Sequence, residues 1–230
     1  MEKAKISEIF RSIQGEGLFI GVRQVFVRFH GCNIHCAWCD TENAISKNNG
    51  KFDVLTAKQL YNKVIKLSGG CHSLSLTGGE PLLQKDFIKD SLVLLKRDNI
   101  KVYLETNGIL FKELKEVING IDFISMDIKL PSSTKCKAFW HEHSKFLDIA
   151  VKKKVFIKTV VSNQTKKEDI IRAVKLVAKH DPGLVFILQP DYNELSSGAL
   201  KKCIGFHDIC LKYIRDVRVI AQMHKYLDLR

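Results

Sequence analysis

The sequence predicts an α/β fold, a partial (incomplete) TIM-like barrel of βα units. From about residue 23, short β-branched or apolar runs alternate with longer periodic stretches, the pattern of a parallel sheet with crossover helices. Polar and glycine-bearing motifs follow directly on several of these runs, where a barrel collects its ligand groups. The chain has 230 residues, fewer than the roughly 250 of a full eight-fold barrel.

The apolar runs place strands at 24–29, 73–76, 102–105, 123–127, 156–160, 185–188 and 217–220. Helices are expected at 56–67, 86–98, 111–118, 138–151, 166–179 and 197–213. Thr56 and Ser197 suit N-caps, because a hydroxyl can accept from the orphan amides of a first turn. Gly69-Gly70 and Asp181-Pro182-Gly183 punctuate helix ends before strands. The run Lys152-Lys153-Lys154 reads as a solvated turn. The stretch from Ser7 to Gly17 is too polar and glycine-punctuated for core and reads as a ligand loop. No composition break suggests a linker, so one domain over 1–230 is expected, its substrate site closed by the loop 7–17 and the segment 217–230.

Lysine and arginine number 37 against 25 acidic residues, a formal charge of +12. Such an excess fits nucleic acid or an anionic ligand, but the charge is scattered and no aromatic RNA-binding box accompanies it. No apolar leader or membrane-length run is present, so a cytoplasmic protein without direct nucleic-acid or membrane contact is expected. Seven cysteines without a secretory signal favour thiolate or metal chemistry over disulfides. Cys71, Cys136, Cys203 and Cys210 are dispersed and read as structural thiols.

Cys32, Cys36 and Cys39 fall within eight residues, C-N-I-H-C-A-W-C, just after the first strong strand. Three thiolates from one loop can hold three irons of a cubane cluster and leave the fourth open to an external chelator. A structural zinc site would need a fourth ligand, and no second close cysteine pair exists. A thioredoxin-like reading lacks the helix expected behind Cys36-x-x-Cys39.

The C-x3-C-x2-C spacing, with Trp38 before the last cysteine, resembles the radical SAM superfamily motif. That resemblance implies a [4Fe–4S] cluster on Cys32, Cys36 and Cys39, whose open iron is chelated by S-adenosylmethionine, and radical chemistry carried by the cofactor with no protein residue as catalyst. Thr77-Gly78-Gly79-Glu80-Pro81 resembles the superfamily's cofactor motif. By the same likeness Trp38, Cys39, Asp40, Gly79, Glu80, Glu105, Ser125, Asp127, Lys129 and Gln189 are cofactor-binding, with Gln189 near the adenine. The segments Ser12-Ile13-Gln14-Gly15-Glu16-Gly17, Phe26-Val27-Arg28-Phe29-His30-Gly31-Cys32 and Trp38-Cys39-Asp40-Thr41 are similar to the 7-carboxy-7-deazaguanine synthase family of queuosine biosynthesis, over nearly the whole chain. This likeness implies a carbon–nitrogen lyase acting on 6-carboxy-5,6,7,8-tetrahydropterin. Gln14, Gly15, Glu16, Arg28, Thr77 and His224 would bind substrate, Arg28 through its carboxylate, and Thr41 would ligate Mg2+. The family further implies a homodimer and a flavodoxin or ferredoxin-type reductant. Around His224 the match departs from the pattern, with Ala221 and Met223 where the family has Pro and Thr. The rival readings are a glycyl-radical activase, which lacks a use for the SIQGEG loop and Arg28, and a metal-bearing RNA module, which leaves GGEP and SMDIK unexplained.

Overall fold

The alternation of apolar runs and amphipathic stretches resolves into a single nine-stranded sheet. The computed structural model describes residues 2–41 and 51–229. Its strands are β1 (Lys3–Ile13), β2 (Arg23–Phe29), β3 (Asp53–Thr56), β4 (Ser73–Gly78), β5 (Val102–Thr106), β6 (Phe123–Asp127), β7 (Lys154–Val161), β8 (Val185–Pro190) and β9 (Asp216–Val219). They lie in the order β3-β1-β2-β4-β5-β6-β7-β8-β9. From β2 through β9 every neighbouring pair is parallel, whereas β1 runs antiparallel to both β2 and β3. The sheet does not close on itself, which is the partial barrel expected.

Helices α1 (Ala57–Leu67), α2 (Lys85–Leu95), α3 (Phe111–Val117), α5 (Trp140–Ala150), α6 (Lys167–His180) and α7 (Leu200–Cys210) pack their apolar residues against the strands, while the short α4 (Pro131–Thr134) sits beside the cysteine loop and α8 (Met223–Tyr226) at the cavity. Helix α6 shows why they pack there. It buries Ile170, Ala173, Val174 and Val177, the spacing that aligns one apolar stripe on a 3.6-residue helix. Thr56 caps α1 with a full capping box, its hydroxyl accepting from the Gln59 amide while the Gln59 side chain accepts from the Thr56 N–H. Strand β6, Phe-Ile-Ser-Met-Asp, is buried at all five positions, as a central parallel strand must be.

Two expectations are corrected. Residues 7–13 belong to β1 and are not loop; polar side chains alternate with the buried Ala4, Ile6 and Phe10, and only 14–16 is loop, ahead of a helical turn over Gly17–Phe19. Ser197 is no N-cap. Helix α7 begins at Leu200 after a turn over Leu195–Ala199 in which Gly198 sits at φ 132°, and the Ser197 hydroxyl donates back to the Glu194 carbonyl. Of the lysine run read as a turn, Lys152 and Lys153 form the turn into β7, and Lys154 is already the strand's first residue.

His143 on α5 is fully buried. Its Nε2 lies 3.1 Å from the Asn107 carbonyl, to which it must donate, and Nδ1 has no partner among the described residues. Burial lowers its pKa from 6.5 to about 4, against the opposing pull of the Asn107 bond. The unfolded chain therefore takes up a proton near 6.5 that the folded chain refuses until about 4, and stability falls as pH drops through that window. Buried Glu80, with its pKa raised to about 7, acts in the opposite sense in both proteins, so the test is the comparison: from pH 7.5 to 5 the urea midpoint of the wild type should fall relative to that of His143→Gln.

Candidate active site

The carboxyl ends of β2 and of β4 through β8 face a common cavity of about 380 Å³. Of the residues singled out in the sequence, all but Glu80 line it. The cysteine loop after β2, the turn after β1 and the C-terminal segment all line it, and the C-terminal segment meets the end of the cysteine loop where Gln222 donates to Asp40.

Glycine backbone pins the cysteine loop in place. After β4, Gly78 adopts φ 93°, a conformation open mainly to glycine. Gly79 donates to the Phe29 carbonyl (3.1 Å) and Glu80 to the Gly31 carbonyl (2.8 Å). A Cβ on Gly79 would run into the Gly31 carbonyl, so only glycine allows the two turns to touch. The loop's far side is held by Ala37 N–H on the Thr134 carbonyl (3.0 Å) and by the Trp38 indole N–H on Ser133 (2.8 Å). Glu80 is a correction to the sequence reading. Its carboxylate is fully buried and accepts from the Leu82 and Asn107 amides and the Thr106 hydroxyl. Burial pushes its pKa up to about 7 in spite of these bonds. It braces the turn against β5 and offers no group to the cavity.

Charged groups of alternating sign cross the cavity floor. Glu16 is ion-paired with Lys158; Lys158 lies 3.9 Å from Asp127; Asp127 accepts from Lys129 at 2.7 Å. The Lys129 ammonium sits 4.5 Å from the Trp38 ring centroid, a cation–π contact. Burial alone would raise the Glu16 pKa, but Lys158, the Gln222 amide and His224 outweigh it and hold the carboxyl at about 2. Burial works against the Lys158 charge, and Glu16, Asp127 and Glu105 overcome it, so the ammonium keeps its proton more firmly than an ordinary lysine.

A second network centres on Glu105. The buried Gln14 amide donates to Glu105 (2.8 Å) and Gln24 (3.0 Å), and Thr77 donates to Glu105 (2.7 Å). Arg28 pairs with Glu8 at 3.2 Å at the rim. The C-terminal segment docks onto the turn after β1: Met223 donates to the Gly15 carbonyl (2.9 Å), and Gln222 donates to Glu16 (2.8 Å) and Asp40 (3.1 Å). A side chain on Gly15 would collide with His224. Glu16, Asp40 and His224 bring their ligand atoms within 4.8 Å of one another, but Lys158 pairs with Glu16 and Lys225 lies 3.6 Å from Asp40, so this cluster is already charge-balanced. Ala221 and Met223 do not keep His224 from the cavity.

The donor set fits the implied cofactors. Cys32, Cys36 and Cys39 are all unbridged and all line the cavity. Burial raises the Cys36 thiol to about 12, so loading a cluster must release protons. The buried carboxylate and amide oxygens without a partner among the described residues are Asp127 Oδ1 and Gln189 Oε1. Both belong to the cavity wall, where the hydroxyl and amino donors of an adenosine would satisfy them. The Thr41 hydroxyl, 3.6 Å from the Cys39 sulfur and next to Asp40, supplies the hard oxygen that Mg2+ accepts.

Sequence reading missed Lys158 and gave no role to Asn107 or Gln222, which stand in the strand-end stretch 105–108 and the C-terminal stretch 222–225. Asn107 donates to Asn33 of the cysteine loop (2.7 Å). Lys158 had a signal: a charge at the second position of the apolar alternation Phe156, Lys158, Val160 lies on one strand face.

A three-cysteine loop facing an adenosine-sized set of strand-end acceptors defines a radical SAM enzyme, and the Radical SAM superfamily model matches residues 26–188. The chain is 37% identical to the 7-carboxy-7-deazaguanine synthase of Geobacter sulfurreducens over 243 residues, covering 97% of both proteins. It is 38% identical to that of Clostridium acetobutylicum over 227 residues, covering 97% of this chain and 95% of the relative. In fold it is similar to QueE from Escherichia coli, with a TM-score of 0.69 and 23% identity over 96% of this chain and 95% of the other. The chain belongs to the 7-carboxy-7-deazaguanine synthase family.

Gly79→Ala should cost about 2–3 kcal/mol or more, because the clash is with backbone and cannot be relieved by a rotamer. A urea-denaturation midpoint, with iron content after reconstitution, checks this; an unchanged midpoint would contradict the close contact.

Proposed function

We propose that this enzyme converts 6-carboxy-5,6,7,8-tetrahydropterin to 7-carboxy-7-deazaguanine with loss of ammonia, in the cytoplasm, as a homodimer that takes electrons from a flavodoxin or ferredoxin-type protein. The observation that carries the reading is a single cavity lined both by the three unbridged cysteines and by the polar side chains of Gln14, Glu16, Arg28, Thr77 and His224. Cys32, Cys36 and Cys39 would hold a [4Fe–4S] cluster, which together with S-adenosylmethionine would supply one-electron radical chemistry at C6 of the pterin.

The chain's own residues bind and orient. Asp127, Ser125 and Gln189 receive the adenosine, and Lys129 lies toward the methionine carboxylate. Glu16 and Gln14 meet the amide and amine edge of the pterin, with a carboxylate suited to N–H donors. Arg28 presents a planar fork to the substrate carboxylate after yielding the Glu8 contact, and Thr41 holds Mg2+. The segment 217–229 and the turn 14–17 close the site over the substrate and restrict water.

Reconstituted enzyme incubated anaerobically with S-adenosylmethionine, dithionite, Mg2+ and the tetrahydropterin should yield 7-carboxy-7-deazaguanine and 5′-deoxyadenosine by mass spectrometry. Deoxyadenosine alone, from enzyme with a full cluster, would discard the substrate. Cys36→Ala should lose the cluster's absorption and all turnover. Arg28→Ala should keep the cluster and raise KM for the pterin about 10-fold to 100-fold, the worth of a charge-assisted bidentate contact.

A further inference from the structure

Lys158 belongs to no motif of the sequence and has no role in the chemistry above. It stands on β7 with its side chain only 13% exposed, on the strand face that continues into the cavity through Val160. A buried ammonium requires anions around it, and three are present. Glu16 pairs with it directly, Asp127 lies 3.9 Å away, and Glu105 bears on it electrically. These carboxylates come from the turn after β1, the end of β6 and the end of β5. The first faces the substrate side, the second the cofactor side.

The two oxygens of Glu16 have different partners. Oε2 takes the Lys158 ammonium, while Oε1 takes an amide N–H from Gln222 at 2.8 Å. The Lys158 contact comes from a rigid central strand bonded on both sides to β6 and β8. The Gln222 contact comes from a segment after the last strand and is of the kind an N–H of a ligand would replace. A pterin's 2-amino-4-oxopyrimidine edge offers such N–H donors.

We infer that Lys158 is a positioning residue for the pterin: it fixes Glu16 through Oε2 as an aimed anion, leaves Oε1 to the substrate's N–H edge, and ties that contact to Asp127 on the cofactor side. The inference rests on the reading that Glu16 receives the pterin. Lys158 touches neither the reacting atoms nor the cluster; it acts through Glu16.

The test is a double-mutant cycle on reconstituted holoenzyme with S-adenosylmethionine bound, using Lys158→Met, Glu16→Gln and the double variant, with Lys158→Arg as the conservative replacement. Pterin affinity is measured by anaerobic calorimetry without reductant, KM and kcat by turnover, and cofactor binding by the change that S-adenosylmethionine causes in the reduced cluster's EPR signal. Lys158→Met should raise Kd and KM for the pterin about 10-fold or more, the share of a charge-assisted contact. The EPR change should persist, and kcat should fall far less than KM rises. The double variant should bind no worse than the weaker single variant, since residues acting as a unit are non-additive, and Lys158→Arg should recover most of the loss.

Unchanged pterin affinity in Lys158→Met, additive losses in the cycle, or a loss confined to the S-adenosylmethionine EPR response would each overturn the inference. Should Lys158→Met not fold, the double variant, which removes both charges together, is compared with Glu16→Gln: equal affinity supports the inference and a further loss overturns it. Wild-type enzyme that does not bind the pterin at all would overturn the functional reading, and this inference with it; wild-type binding with no effect of Lys158→Met overturns the inference alone.

Discussion

The ladder Glu16, Lys158, Asp127, Lys129 is the constraint around which this site is built. Its side chains are between 10% and 18% exposed, so each charge has left most of its water, and desolvation is offset only while every neighbour is present. Such a ladder adds little net stability. Its effect is positional: removing one member strands the others, a loss of about 3–5 kcal/mol for a buried pair, so the turn after β1, β6, β7 and the residues after β6 are locked in one arrangement. Lys129 extends the ladder to Trp38 and thereby to the cysteine loop.

The backbone contacts at Gly78 and Gly79 do for the loop what the ladder does for the floor. They fix where the three thiols emerge relative to β4 and β5. Loop and floor meet at Asn107, which donates its side-chain amide to Asn33 and its backbone amide to Glu80. The cysteine loop is thus held by strand ends, whereas the turn after β1 is held by hydrogen bonds from the C-terminal segment.

The parallel strands β2 and β4 through β8 were legible because their apolar runs are largely buried, as in Phe123–Asp127, and β9 through its valines although only Val217 is buried. β1 was not, since an edge-side strand carrying Glu8, Arg11 and Ser12 mixes polar side chains with few buried ones and imitates a loop. The cysteine loop and strand-end motifs were readable because their chemistry is local. Glu80 was misassigned for the opposite reason: whether a carboxylate faces a cavity or the amides behind it depends on three-dimensional direction, which spacing does not carry. Lys158 escaped because its partners, Glu16 and Asp127, lie 142 and 31 positions away in sequence.

Glu16 and Gln222 are separated by 206 positions and yet share a hydrogen bond. On a ribosome, where folding proceeds from the N-terminus, the cysteine loop and its first supporting strands emerge long before the segment that meets Glu16. The three thiols are therefore made well before the strand ends at Ser125, Asp127 and Gln189 and the residues around Gln222 that complete the cavity. A nascent or shortened chain would carry the thiols without the cover, so the order of synthesis itself sets when radical chemistry acquires its shield.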